Sequence, residues 1–252
     1  MNLGPGGPGD VCHPPPMPFD HNDHYHRLLL RRVPADARTA LDVGCGTGRF
    51  ARRLAARGIE VDAVDPSRET VEAARAASAR PGGNGPAPRF RHADIADVDL
   101  PRSHYDVISC LASLHHMPFA TVTALRDALA PGGVLLVLGC YREEFPADLA
   151  RSLTAVPVNA AARLAVAAGE RARGTRHAPR ATPPVKEPGM TLADIRREAD
   201  GLLPGHTLRR LLFWRYLLVF RQVAGAARRG SVHRHADDVA RLAGDAAARH
   251  RR

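Results

Sequence analysis

The stretch ALDVGCGTGRFARRLAARGIEVDAVDPS, running from Ala40 to Ser67, decides how this chain folds. Gly44, Gly46 and Gly48 stand at every second position, with Asp42 before them and Asp65 well after. "TALDVGC" is an apolar run of strand length, "GRFARRLAARG" has helical spacing closed by Gly58, and "IEVDAVDP" returns to a strand. A strand that ends in alternating glycines and feeds a helix lets backbone approach a ligand closely, where any Cβ would collide with it. Dinucleotide folds use the same device, with the fingerprint G-x-G-x-x-G and alanine tolerated last. Counted from Gly44 that fingerprint fails at Arg49, and counted from Gly46 it passes only through Ala51. The glycines alone leave a nicotinamide cofactor open. The fuller pattern is D-x-G-x-G-x-G, beginning at Asp42.

Outward from this stretch, apolar runs alternate with helical patterns. "DHNDHYHRLLLRRVP" reads as a short amphipathic helix stopped by Pro34. "SRETVEAARAASAR" reads as a helix capped by Ser67. "RFRHADI" and "YDVISCLAS" are the third and fourth strands. "FATVTALRDALA" is a helix ended by "PGG", and "VLLVLGCY" is the fifth strand. Strict alternation of this kind predicts a parallel sheet with helices on both faces. Towards the C-terminus, "TLADIRREADGLL" starts with Thr191 as N-cap and Asp194 in capping-box position. "PGHTLRRLLFWRYLLVFRQ" reads as two strands turning near Phe213 and Trp214. Their connection is too short for a crossover helix, so they pair antiparallel.

The flanks differ in composition. Residues 1–19 are rich in Pro and Gly and are expected to be disordered. Residues 142–190, rich in Ala, Arg and Pro, are expected to form a helical insertion with stretches near Ala147 to Ala155 and Asn159 to Arg173. Residues 223–252 form a basic tail, with a short helix near Asp237 to Ala248. At 252 residues and 44% hydrophobic content, the chain is long enough for a sizeable core in the domain spanning 20–222. The formal charge is +10, yet Lys186 is the single lysine among 36 basic residues and much of the excess is terminal, so a nucleic-acid partner is disfavoured. Cys12, Cys45, Cys110 and Cys140 are too dispersed for a zinc site or a disulfide framework, which points to a reducing cytoplasm. No stretch approaches the length and apolarity of a membrane span.

The arrangement resembles the class I S-adenosylmethionine-dependent methyltransferases from about Asp20 to Gln222. "LDVGCGTG" looks like the first motif of that family, "VDPS" like the end of its second strand, and "HADI" like its adenine-facing segment. "DVISCLASLHHM" looks like the fourth strand with the loop that carries substrate-facing residues, and "LAPGGVLLV" like the fifth-strand entry. The resemblance implies a Rossmann-like α/β fold, with a seven-stranded, mostly parallel sheet whose seventh strand is antiparallel. It implies S-adenosylmethionine as cofactor, held by Asp42, Gly44, Cys45, Gly46 and Gly48. Asp65 would lie at the ribose hydroxyls beside Pro66, and Asp94 at the adenine amino group beside Ile95. Cys110 and Leu111 would follow at the end of the fourth strand, with Tyr25 and His26 as a cover. The segments "DHNDHYHRLLL" and "LPGHTLRRLLFWRYLLVFR" resemble a bacterial subset of small methyltransferases.

The sulfonium of such a cofactor already makes its methyl group electrophilic, so the protein's main task is to align a nucleophile with the C–S bond and exclude water. Where the nucleophile carries a proton, a nearby base contributes roughly 10² to 10⁴-fold. His115 and His116, just past the fourth strand, are the candidates, either as bases or as residues that shape the pocket. Asp42 is read either as a partner of the cofactor's amino group or as a loop anchor, and Asp65 as ribose partner, helix cap or both. His21, His24 and His26 lack a further ligand nearby and do not face one way on a helix, so no metal is expected. Exocyclic-amine methyltransferases show an N/D-P-P-Y/F segment after the fourth strand, where this chain has Ser109-Cys110-Leu111-Ala112. Cys110 also lacks the neighbouring proline of cytosine-C5 enzymes. The acceptor is therefore expected to be a small molecule under the 142–190 insertion; the alternatives are an RNA or protein acceptor recruited through the basic tail, or a non-catalytic cofactor-binding protein. Oligomeric state is not legible at this level.

Overall fold

The computed structural model describes residues 21–79, 85–142, 188–211 and 214–223, with backbone only for 21–24. The N-terminal 1–19, the expected helices at 147–155 and 159–173, and the tail from 224 lie outside the described residues.

In chain order the elements are α1 (His21–Leu30), β1 (Thr39–Val43), α2 (Arg49–Ala55), β2 (Glu60–Asp65), α3 (Arg68–Ser78) and β3 (Arg89–His92). They continue with β4 (Tyr105–Leu111), α4 (Thr121–Ala128), β5 (Leu129–Cys140), α5 (Leu192–Leu202), β6 (Thr207–Arg210) and β7 (Arg215–Arg221). One sheet of seven strands results, in the order β3-β2-β1-β4-β5-β7-β6. β7 pairs antiparallel with both β5 and β6, and the other pairings are parallel. The α/β, Rossmann-like fold with one reversed strand is as expected.

Strand alternation divides the core into two layers. Leu41, Val43, Ile108, Cys110, Leu135 and Val137 face α4 and α5, where Val122, Leu125, Ile195 and Ala199 meet them. Ala40, Ala63, Val107, Leu136 and Leu138 face the other way, against Leu29 of α1, Phe50 and Leu54 of α2, and Val71 and Ala74 of α3. Strands β1 and β4 are buried almost throughout, as parallel strands covered on both faces must be. Each fully buried leucine, Leu54 among them, contributes about 1.5–3 kcal/mol of transfer free energy.

Local signals explain the ends of the elements. The Ser67 hydroxyl accepts from the Thr70 backbone N–H at the start of α3. Thr191 and Asp194 form a reciprocal capping box on α5. One boundary differs from the sequence reading. "PGG" does not lie between α4 and the fifth strand; β5 begins at Leu129 and runs through Pro131, Gly132 and Gly133. Gly132 has φ +81, and a Cβ on Gly133 would lie 2.8 Å from the carbonyl oxygens of Ala130 and Tyr105. The strand survives this kink because Gly132 donates to the Gln222 carbonyl while Gln222 donates to that of Gly133.

The chain runs outward from β1 through β2 to β3, then crosses back to β4 and β5 on the other side. This reversal between β1 and β4 opens a crevice beyond the carboxyl ends of the strands, where open α/β sheets hold ligands. Val43, Asp65, Leu111 and Cys140 end there, and antiparallel β7 begins there at Arg215.

Candidate functional site

The glycine turn is built almost wholly from internal hydrogen bonds. The N–H groups of Gly44 and Cys45 both donate to the Val64 carbonyl, at 2.8 and 3.0 Å, and that of Gly48 donates to the Cys45 carbonyl at 2.9 Å. The Gly46 N–H donates to Asp65 Oδ2 at 2.8 Å. Asp65 is also held by the Ser67 N–H and the Thr70 hydroxyl, both 2.9 Å from Oδ1. Three donors therefore fix a carboxylate that can accept about four, and capacity remains on Oδ2.

All three glycines have positive φ, but they serve different ends. A Cβ on Gly44 would lie 2.3 Å from the Ser113 Cβ, and one on Gly48 would lie 2.5 Å from the Phe90 ring. Those two positions are bare because other parts of the protein fill the space. A Cβ on Gly46 would meet nothing within 4 Å, so open space lies against the backbone at this position only among the three. The sequence reading assigned close ligand approach to all three glycines; internal packing accounts for two.

Asp42 lies beneath this turn, 2% exposed, and accepts from the Ser109 hydroxyl at 2.7 Å. The backbone N–H of Ala51, in the first turn of α2, also reaches it. Burial pushes its carboxyl up to about 6, against the lowering effect of these two hydrogen bonds. A dinucleotide pyrophosphate needs unpaired N–H groups and positive potential at this helix start. Here the N–H groups of Gly44, Cys45, Gly46, Gly48 and Ala51 are committed and a buried carboxyl lies beneath the turn. This geometry does not favour the nicotinamide alternative left open by the glycine spacing.

At the far end of β4 the chain is tied to the same turn. Ala112 takes φ +55, and its N–H donates to the Leu138 carbonyl at 2.7 Å. The Ser113 hydroxyl, buried, donates to the Val43 carbonyl at 2.6 Å, while its Cβ fills the space that Gly44 vacates. A 3₁₀ turn over Leu114–His116 follows, anchored by buried Leu114.

Comparison with known proteins agrees with this geometry. A family model described as "Methyltransferase domain" matches residues 40–133. An uncharacterized methyltransferase of Mycobacterium bovis is 33% identical over 207 residues, covering 81% of this chain and 98% of that one. The chain belongs to the S-adenosylmethionine-dependent methyltransferases. A ubiquinone biosynthesis O-methyltransferase of Xylella fastidiosa is 34% identical over 112 residues, 43% of this chain and 44% of its own. Among solved structures, a methyltransferase from Methanosarcina mazei shares the fold at TM-score 0.53 and 17% identity, covering 78% of this chain and 98% of its own. The magnesium protoporphyrin IX methyltransferase of Synechocystis, crystallised with S-adenosylhomocysteine, does so at TM-score 0.50 and 20% identity, over 80% of this chain and 81% of its own.

Within this methyltransferase the expected site residues fall into two groups. Asp42, Asp65 and Leu111 stand on the sheet face that carries α1 and α2, at its carboxyl edge, with Gly46 and half-buried Cys45 beside them. Burial pushes the Cys45 thiol up, so it is a neutral wall and not a nucleophile. Tyr25 and His26 are buried on the same face, Tyr25 in its core layer and the His26 ring 5.1 Å from that of Phe50. Pro66 is exposed, and His92 Nε2 lies 3.0 Å from its carbonyl. Asp94 is exposed, and its Oδ1 accepts from the Ala96 N–H as cap of the 3₁₀ turn Ile95–Asp97.

Two residues point elsewhere. The side chains of Cys110 and Ile95 enter the opposite core layer, under α4 and α5, and burial pushes the Cys110 thiol up. Only their backbones reach the crevice edge. His115 is half-buried and His116 exposed, with their rings 4.1 Å apart between centroids. Sequence reasoning missed Ser109, Ser113 and Thr70, which hold Asp42, the β4 loop and Asp65. Their hydroxyls carry no pattern that sequence alone would single out.

Proposed function

We propose that this methyltransferase moves a methyl group from S-adenosylmethionine to an oxygen, nitrogen or carbon nucleophile on a small-molecule acceptor. The observation that carries the reading is the open space against Gly46, whose N–H is held by the same Asp65 carboxylate that keeps an unused acceptor position. Gly46 offers a flat backbone surface, and Asp65 offers oxygen to ribose hydroxyls. Exposed Asp94 would receive the adenine amino group, with Ile95 and Pro66 contributing backbone. Buried Asp42 would balance the cofactor's ammonium group through the turn, and Tyr25 and His26 would close α1 over it. The bound cofactor supplies an activated methyl group; the protein's residues orient it and exclude water.

On the acceptor side, His116 is exposed beyond β4 on a loop pinned to the glycine turn by Ser113. It would take the proton of a hydroxyl acceptor as the new bond forms, with His115 packed beside it. Support for a small acceptor comes from the ubiquinone-pathway relatives, named O-methyltransferases, and from the lack of an N/D-P-P-Y/F segment after β4. The test combines calorimetry with turnover. The chain should bind S-adenosylmethionine and S-adenosylhomocysteine but not NAD. His116→Ala should lower turnover on a hydroxyl acceptor by about 10²-fold with unchanged cofactor affinity. Binding of NAD alone would defeat the function, and unchanged turnover would remove His116 from the mechanism.

A further inference from the structure

Arg215 opens β7 opposite Cys140, the last residue of β5, at the carboxyl edge of the sheet. Strand alternation puts both on the face of Asp42 and Asp65: Leu136 and Leu138 precede Cys140 there, and Leu217 and Val219 follow Arg215. Trp214, the single tryptophan of the chain, packs half-buried against the same layer and takes φ +54.

The bonding of this guanidinium is incomplete. Nη1 donates to Cys140 Sγ, whereas Nε is shielded from solvent and has no hydrogen-bond partner. Burial pushes the Cys140 thiol up despite the neighbouring positive charge, so a neutral thiol is what Nη1 meets. None of the ion pairs among the described residues includes Arg215. Arg52 and Arg126, also half-buried, each donate to a carbonyl oxygen at 2.8 Å. A guanidinium stays charged at every working pH, and buried charges are retained in proteins where something pairs them. With Nη1 engaged by Cys140 and Nε shielded, Nη2 is left to donate to one oxygen of a carboxylate, and a rotation of the side chain that uncovers Nε would bring its N–H onto the second.

We propose that Arg215 anchors an anion subsite at the carboxyl edge of the sheet, shaped for a carboxylate carried either by the methyl acceptor or by the amino-acid end of the cofactor. This deepens, and rests on, the methyltransferase reading above. The acceptor end of the crevice then selects acids over neutral molecules of the same size.

Trp214 reports on its neighbour. Its emission is titrated with hexanoate and with hexanamide, which differ at the head group alone, using the unaltered chain, Arg215→Lys and Arg215→Leu. Calorimetry on the same proteins uses S-adenosylhomocysteine and 5′-methylthioadenosine, the latter lacking the amino-acid end. An acceptor subsite gives hexanoate binding at least roughly tenfold tighter than hexanamide in the unaltered chain, weakened in Arg215→Lys and lost in Arg215→Leu, with nucleoside affinities unchanged. A cofactor subsite gives at least a tenfold loss of S-adenosylhomocysteine affinity in Arg215→Leu with 5′-methylthioadenosine unaffected. Equal hexanoate and hexanamide binding in the unaltered chain, together with unchanged nucleoside affinities in both variants, overturns the proposal. Should Arg215→Leu not fold, the hexanoate comparison in the unaltered chain and Arg215→Lys still decides. If the unaltered chain binds neither nucleoside, the methyltransferase reading fails while the hexanoate arm still tests Arg215.

Discussion

The two ends of the crevice are built on opposite principles. At β1 and β2 the carboxylates and most of the turn's amides have protein partners: Asp65 takes three donors, Asp42 takes Ser109, and the N–H groups of Gly44, Cys45, Gly46 and Gly48 point at Val64, Cys45 and Asp65. Past β4 and at β5 and β7, a half-buried guanidinium with a shielded Nε meets only a thiol, and Ala112 and Trp214 hold left-handed backbone without being glycines. The first region is largely organised before anything binds, with one acceptor position of Asp65 still open. The second stores unmet bonding and strain, which proteins keep where a ligand or a reaction makes use of it. A cofactor seat common to a family can be rigid, whereas acceptor recognition is specific to each member.

The sharpest way to break this comparison lies within the glycine turn itself. Gly46→Val puts a branched side chain into open space, so calorimetry should show S-adenosylmethionine binding weakened beyond about a thousandfold, with a modest loss of stability from the left-handed φ. Gly48→Ala should do the reverse. Its Cβ would strike the Phe90 ring, so thermal unfolding should show a loss of about 1–3 kcal/mol. If both variants lose binding equally per unit of stability lost, the division into a ligand-facing glycine and packing glycines is wrong.

That division also marks what was legible in the sequence. The order of strands and helices, the reversed β7, the Ser67 cap and the Thr191–Asp194 capping box could all be read locally, because apolar period and capping chemistry act over a few residues. The reasons for Gly44 and Gly48 could not. Ser113 and Phe90 lie far along the chain, and only folding brings them to those glycines. The same distance hid the kink in β5, where Pro131 to Gly133 looked like a stop. Paired with Gln222 of the last strand's end, those residues continue the sheet. The partner of Arg215 was hidden in the same way, because only the strand register sets it against Cys140.

A smaller effect tests the electrostatics of the first region. Asp42 ionises at about 6 in the folded chain against 3.8 for the free group, so the fold favours its protonated form. The corresponding stability, about 3 kcal/mol, is fully present below pH 3.8 and is lost as pH rises through about 6. A cationic cofactor at the turn favours the ionised form and therefore binds more weakly as pH falls through 6. Calorimetry between pH 5 and 8 should show that decline in the unaltered chain and a flat profile in Asp42→Asn. A decline that persists unchanged in Asp42→Asn would assign it to another group.

The smallest expected change concerns the tie between the two ends. The Ser113 hydroxyl donates to the Val43 carbonyl at 2.6 Å, and its Cβ sits in the space left by Gly44. Ser113→Ala keeps the Cβ and removes only the hydrogen bond, which is worth about 0.5–1.5 kcal/mol of stability. If the bond were merely structural, thermal unfolding would register that loss and turnover would follow the folded fraction. A positioning role predicts more. The β4 loop bearing His115 and His116 is held in register with the glycine turn through this contact, so kcat should fall by about tenfold under fully folded conditions, with cofactor affinity unchanged. Ser113→Thr retains the hydroxyl but adds a methyl group where a Cβ on Gly44 has no room, so it should restore less than a simple hydroxyl count suggests. Equal kcat in Ser113→Ala and the unaltered chain would show that the rigid end and the unfinished end work independently.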